Sequence, residues 1–138
     1  MSDHSRTPSP SCRRLGLATE AIPAMVGVHR ATCTRTLAHW GLKAVAANAS
    51  LVVSELVTNA VIHGSGNDVS LGMTYAANKL HIAVSDGSPA RPVLRKPSPN
   101  DERGRGLFLV EALVATWGTS ADGMCTYATL TVPGGGLR

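Results

Sequence analysis

The chain has 138 residues, 43% of them hydrophobic and 16% charged, which suits one folded domain with a core of its own. Only five aromatics (Trp40, Tyr75, Phe108, Trp117, Tyr127) and a mild net charge of +4 with no single basic run argue against direct nucleic-acid binding through a base-stacking surface. Cys12, Cys33 and Cys125 lie far apart without metal-ligand spacing and read as buried, reduced thiols. No apolar run approaches membrane-spanning length and the polar start is no signal peptide, so a cytoplasmic protein without membrane association is expected.

In chain order, residues 1–11 are Ser/Pro-rich and predict a disordered tail; the domain itself is expected over residues 12–133 and a frayed, glycine-rich end over 134–138. Residues 13–18 suit a short strand. Pro23 fits the first turn of a helix whose apolar positions Val26, Cys33, Leu37 and Trp40 recur at spacings of seven, four and three, with Gly41 placed to cap it. A second helix spans about residues 43–63 and stops at Gly64-Ser65-Gly66. Alternation then predicts strands at 69–75 and 80–84, joined by a hairpin at 76–78. Residues 86–103, rich in Pro, Ser and charge, form a long loop of the kind that often serves as a lid. Gly104-Arg105-Gly106 opens a helix to about residue 114. A strand at 117–120, a turn at 121–123 and a strand at 124–132 complete a layered α+β sandwich.

Within the second helix, LVVSELVTNAVIHG carries Glu55, Asn59 and His63 four apart on one face. The segment is otherwise apolar nearly all round, so the helix is expected to be largely buried. Buried polar groups need partners, and a bound metal–phosphate ligand would supply them. Asn59 offers a neutral carbonyl oxygen to Mg²⁺, which takes its remaining ligands from phosphates and water. Glu55 can bind a water or accept a proton from an attacking hydroxyl. The plainer alternative is that both cap backbone or pair with arginine on a solvent-facing strip. His63 gains from the helix dipole whatever its function, with phosphate or lid contact as one role. Asp86, at a strand end, can accept a hydrogen bond from the exocyclic amine of adenine, where guanine presents an acceptor; taken alone, the residue reads first as part of an ordinary Asp-Gly turn. Gly104-Arg105-Gly106 suits a phosphate cradle at a helix start, whereas the absence of G-x-x-x-x-G-K-[ST] excludes a P-loop. Arg91, Arg95, Lys96, Arg103 and Arg105 concentrate positive charge in the long loop.

Taken in order, Glu55-x-x-x-Asn59, Asp86 and Gly104-x-Gly106-Leu107 resemble the N, G1 and G2 boxes of the histidine-kinase-like ATPase (GHKL) superfamily. More closely, LVVSELVTNAVIHG with GRGLFLVEALVATWG looks like the stand-alone anti-sigma-factor serine/threonine kinases of that group. The resemblance covers about residues 30–132. It implies a Bergerat fold, a two-layer α/β sandwich with a mixed β-sheet and ATP between helices and lid. It also implies Asn59 as Mg²⁺ ligand, Glu55 as general base, Asp86 as adenine acceptor, and Gly104, Gly106 and Leu107 at the phosphates. His63, Arg103 and Arg105 would support the nucleotide, and Thr126 matches a late threonine near the adenine pocket. The fuller G1 pattern is Asp-x-Gly-x-Gly; here Ser88 and Ala90 stand at both glycine positions.

The expected activity is Mg–ATP-dependent phosphorylation of a small anti-anti-sigma (STAS-type) protein, with a sigma factor as a second partner and a homodimer as the family's assembly. The alternatives are a nucleotide-sensing switch without phosphoryl transfer and a polar stripe satisfied internally with no nucleotide. Histidine autophosphorylation is disfavoured because the chain has no separate helical phosphoacceptor domain.

Overall fold

The computed structural model describes residues 12–64, 66–86, 114, 116–120 and 124–132. Its elements run β1 (Arg13–Glu20), α1 (Ala24–His39), α2 (Lys43–His63), β2 (Asp68–Ala76), β3 (Lys79–Ser85), β4 (Thr116–Thr119) and β5 (Cys125–Thr131). Each element anticipated over these residues is present. The tails, the basic loop, the glycine-opened helix up to residue 113 and the 121–123 turn lie outside the described residues.

Pro23, with φ near −55°, leads into α1, whose buried face is His29, Cys33 and Leu37. The far end closes in a Schellman motif. Gly41 adopts φ 79°, its N–H donates to Ala38 O at 3.1 Å, and the Leu42 N–H donates to Leu37 O at 2.8 Å. Leu37 and Leu42 are both buried, the apolar contact that accompanies this cap. The chain therefore reverses within three residues and α2 packs back along α1.

The helix α2 is more one-sided than its composition implies. Val45, Ala49, Val52, Val53, Leu56 and Val57 are buried, but Leu51 is 37% and Ile62 57% exposed. The expectation of a largely buried helix is corrected to one buried face, because α1 and the sheet cover it from one side only. The statement that no apolar run reaches membrane-spanning length also needs correction. By length and composition alone, the 21 residues of α2 would suffice to cross a membrane, with a mean hydropathy of 1.5. Here the apolar face is a core face, packed on the sheet.

The sheet has the order β1-β2-β3-β5-β4, and every neighbouring pair among the described residues is antiparallel. The α+β sandwich stands, but the implied mixed sheet does not appear in these strands. The reason is parity: one crossover helix returns the chain parallel, whereas the α1–α2 pair between β1 and β2 returns it antiparallel. Ala77 (φ 52°) and Asn78 (φ 63°) form the two-residue, left-handed turn of the β2–β3 hairpin. The Tyr75 hydroxyl donates to Asn78 Oδ1 at 3.2 Å, so this buried ring keeps its polar end satisfied. Alternation turns Val69, Leu71, Met73, Tyr75, Leu80, Ile82, Val84, Ala128 and Leu130 into the helix-facing core. The register aligns one row across the whole sheet: Leu17, Leu71, Val84, Thr126 and Thr119. That row begins apolar and ends in two threonines.

Candidate functional site

The C-terminus of α2 and the end of β3 meet at Gly64 and Asp86. A Cβ built on Gly64 would lie 2.5 Å from Ala60 O, 2.8 Å from Asp86 Cβ and 3.0 Å from Asp86 Oδ2. Its backbone (φ −72°, ψ 153°) suits any residue, so the demand for glycine here is spatial. The absence of a side chain lets the Asp86 carboxylate sit directly against the end of α2. Asp86 is only 8% exposed, and its N–H donates to Met124 O at 3.1 Å, extending the β3–β5 ladder by one residue.

The sheet supplies a polar floor beside it. Asp86 shares a face with Val84, which is opposite Thr126 on β5, and Thr126 is opposite Thr119 on β4. Strands are about 4.8 Å apart and residues about 3.4 Å apart along them, and Asp86 stands two residues beyond Val84, so the three polar residues span about 12 Å of sheet from β3 to β4. Thr126 is 8% exposed. The Thr119 Oγ1 is buried with no hydrogen-bond partner.

The helix supplies the wall. Along α2, Asn59 stands five residues before Gly64, about 7.5 Å at 1.5 Å per residue, and Glu55 about 6 Å further. Asn59 is buried at 9% exposure, Glu55 is half-buried and His63 is exposed. Burial pushes the Glu55 carboxyl above the ordinary carboxylate range. The shared face therefore separates by depth, with Asn59 the innermost of the three.

Asp86 and Thr126 lie on the helix-facing side of neighbouring strands, two residues out of register, and the end of α2, the helix that carries Glu55, Asn59 and His63, reaches Asp86 at Gly64. Ser88, Arg103, Gly104, Arg105, Gly106 and Leu107 lie outside the described residues. Gly64 and Thr119 are features that the sequence reading did not single out. Gly64 reads as a helix stop and only the fold reveals its approach to Asp86. Thr119 was legible in principle, since it alternates with the core-facing Trp117. Of the cysteines, Cys33 is buried as expected and its thiol is pushed up to about 11 by burial, but Cys12 and Cys125 are half-buried; all three are free. Among the described residues no three His, Cys, Asp or Glu side chains gather as a metal cage. The donor set instead suits a hard cation that brings its own phosphate ligands: one neutral amide oxygen, with a carboxylate a turn away.

These parts define an α+β domain in which the end of α2 meets Asp86 at the end of β3, beside the polar end of the sheet. The model of the histidine kinase-like ATPase domain family matches residues 19–130, and the chain belongs to that family, an assignment that implies ATP binding. Among solved structures, the chain is similar to the RsbU and RsbW domains of Rv1364c from Mycobacterium tuberculosis. The identity is 25% and the TM-score 0.62, over 86% of this chain and 32% of that one. The chain thus corresponds to about a third of that longer protein. No curated protein matches it.

Proposed function

We propose that the chain is a Mg–ATP-dependent protein serine/threonine kinase of the anti-sigma-factor type. It phosphorylates a small anti-anti-sigma (STAS-type) protein and holds a sigma factor when that antagonist is modified. The observation that carries this reading is the order of groups along α2. Asp86 lies against its C-terminal end at Gly64, Asn59 stands about 7.5 Å back, and Glu55 about 6 Å beyond that. That sequence runs base, metal–phosphate, acceptor hydroxyl, as the parts of ATP and its protein substrate would be laid out. The structural likeness to a protein whose described domains include RsbW supports the same direction.

When bound, Mg–ATP supplies the γ-phosphoryl group and the metal's neutralisation of its charge. The residues of the chain do the rest. Asp86 accepts the exocyclic amine of adenine, and Thr126 lies beside it on the floor. Asn59 would hold the metal through its amide oxygen. Glu55 takes the proton from the attacking serine or threonine hydroxyl, a role its raised pKa suits because a stronger base accepts that proton more readily. Following the resemblance, Ser88, Gly104, Gly106 and Leu107 would bind the nucleotide, with Gly104 and Gly106 lining its phosphates, and His63, Arg103 and Arg105 would support it. A cytoplasmic homodimer is the assembly that goes with this reading.

The test is phosphotransfer from labelled ATP to a co-purifying antagonist. Phosphoserine or phosphothreonine on that partner, lost with Glu55→Ala, supports the kinase; label no higher than in Glu55→Ala refutes it. Ser88 and Ala90 at the two G1 glycine positions favour a second reading, a switch that binds ATP without transferring phosphate. Calorimetric ATP binding that is lost on Asn59→Ala, with no transfer to any partner, would select the switch.

A further inference from the structure

Where α1 packs on β1, one ionisable ring is sealed into the core. His29 is 0% exposed. Its Nε2 is hydrogen-bonded to the Thr19 hydroxyl at 2.8 Å, and its Nδ1 is buried with no partner. A neutral imidazole carries one N–H, and in either tautomer this site satisfies one ring nitrogen. A protonated imidazole carries two N–H groups and a charge, and Thr19 offers an oxygen to one of them. Packing does not demand histidine here. The Thr19 hydroxyl also bonds Glu20 O at 3.0 Å, so an apolar side chain in place of the ring would leave it satisfied. Neither ring nitrogen has an ionised partner among the described residues. On α1, the buried neighbour one turn on is Cys33, a thiol kept neutral by burial, while Arg30, Arg35 and His39 are exposed. On β1, the side that carries Thr19 also carries Leu15 and Leu17, with Arg13 about 20 Å away. Glu20 and its β2 partner Asp68 stand on the opposite, exposed face of the sheet. On α2, Glu55 is the only ionisable side chain between Lys43 and His63.

We propose that His29 makes the packing of α1 on β1 a proton-sensitive latch, closed while the ring is neutral and released when the ring takes up a second proton. A histidine outside the fold titrates near 6.5, whereas burial lowers that value in place. The opened form therefore binds more protons between the two values. Opening is favoured about tenfold for each pH unit descended between them. Above 6.5 the proton has no effect, and below the lowered value the gain levels off. What opens is part of the cover over the buried face of α2, the helix that carries Glu55 and Asn59. None of this depends on what α2 binds.

Cys33, fully buried one turn from His29, reports the opening. In a Cys12→Ser/Cys125→Ser background it is the sole thiol, and a dipyridyl disulfide, which reacts with thiols even in acid, measures its exposure. The native labelling rate at each pH is divided by the rate for the same chain unfolded in urea, which removes the pH dependence of the reagent and of the free thiol. From pH 7.5 to 5.5 this ratio is expected to rise about five- to tenfold. In His29→Leu and His29→Gln, which cannot take up the proton, it should stay within about twofold. The glutamine variant keeps a polar, non-titrating group at the site and serves if the leucine variant does not fold. Glu55→Gln should leave the rise intact. A flat ratio in the parent chain overturns the proposal, as does an equal rise in His29→Gln or loss of the rise in Glu55→Gln. Labelling that accelerates with urea as steeply as global unfolding also overturns it, because the whole fold and not the latch would then be opening.

Discussion

Gly64→Ala adds a single methyl group where α2 meets the sheet, and its consequences can be worked from three distances. The new Cβ would lie 2.5 Å from Ala60 O, 2.8 Å from Asp86 Cβ and 3.0 Å from Asp86 Oδ2. Carbon atoms rest at about 3.5–4.0 Å, so the helix end and the end of β3 must part by about 1 Å. Neither side yields freely. Ala60 O accepts the Gly64 N–H at 2.8 Å, and Asp86 is tied through its own N–H to Met124 O. The backbone angles are acceptable to alanine, so its lower unfolded-state entropy returns about 0.4–1 kcal/mol against an overpacking cost of about 1–3 kcal/mol. A net loss of about 1–2 kcal/mol is expected, read as a lower midpoint in urea and a melting temperature lower by roughly 3–10 °C. Because the displaced group is the Asp86 carboxylate, Mg–ATP affinity should fall about tenfold or more in calorimetry. Gly27→Ala is the matched control. Gly27 is an exposed α1 position with nothing within 4 Å of a built Cβ, so alanine there should stabilise by about 0.5–1 kcal/mol and leave nucleotide binding alone. Gly64→Ala with wild-type stability and affinity would refute the close contact between α2 and Asp86.

Three further perturbations bear on other parts of the structure. Glu55→Gln should lower phosphotransfer about 10²–10⁴-fold with little change in ATP affinity, and the wild-type rate should rise with pH through an apparent pKa above 4.5. With its folded pKa raised, Glu55 contributes stability in acid that is lost as pH rises through that value, so Glu55→Gln should gain on the wild type toward neutral pH; a pH-independent difference would contradict this. At the α1–β1 contact, the Thr19 hydroxyl and the His29 Nε2 are hydrogen-bonded at 2.8 Å, and the His29 Nδ1 is buried with no hydrogen-bond partner. Burial lowers the His29 pKa from 6.5, so its neutral form contributes stability above pH 6.5 that is lost as pH falls through the lowered value; His29→Leu should flatten that acid-side loss, and identical slopes in urea midpoint against pH would rule it out. In native protein, a thiol reagent should label Cys12 and Cys125 well before Cys33, which is fully buried; equal rates would show that α1 opens readily.

Much of the fold was legible because its signals are local. The bounds of α2 followed from a long stretch free of Gly and Pro between Gly41 and Gly64, and Gly41, which adopts a left-handed conformation, marked the reversal after α1. The β2–β3 hairpin followed from strict alternation on either side of Ala77-Asn78. The signals that failed are non-local. Composition could not tell that α1 and the sheet cover α2 from one side only, leaving Leu51 and Ile62 exposed. Strand direction depended on two helices, rather than one, lying between β1 and β2. The candidate site shows the same division. Glu55, Asn59 and His63 share a helix face by spacing alone, but their graded depth depends on where the sheet lies. Asp86 was visible as a strand end, whereas its approach to Gly64 is a contact between elements that no spacing encodes.

In the proposed site, the Gly64–Asp86 corner is the adenine end of bound Mg–ATP. Titration calorimetry of the purified chain with Mg–ATP and Mg–GTP tests it most directly. Saturable binding of ATP is expected, with at least tenfold weaker binding of GTP because Asp86 meets an acceptor there, and loss of that preference in Asp86→Ala. Equal affinity for the two nucleotides, or unchanged ATP affinity in Asp86→Ala, would contradict it.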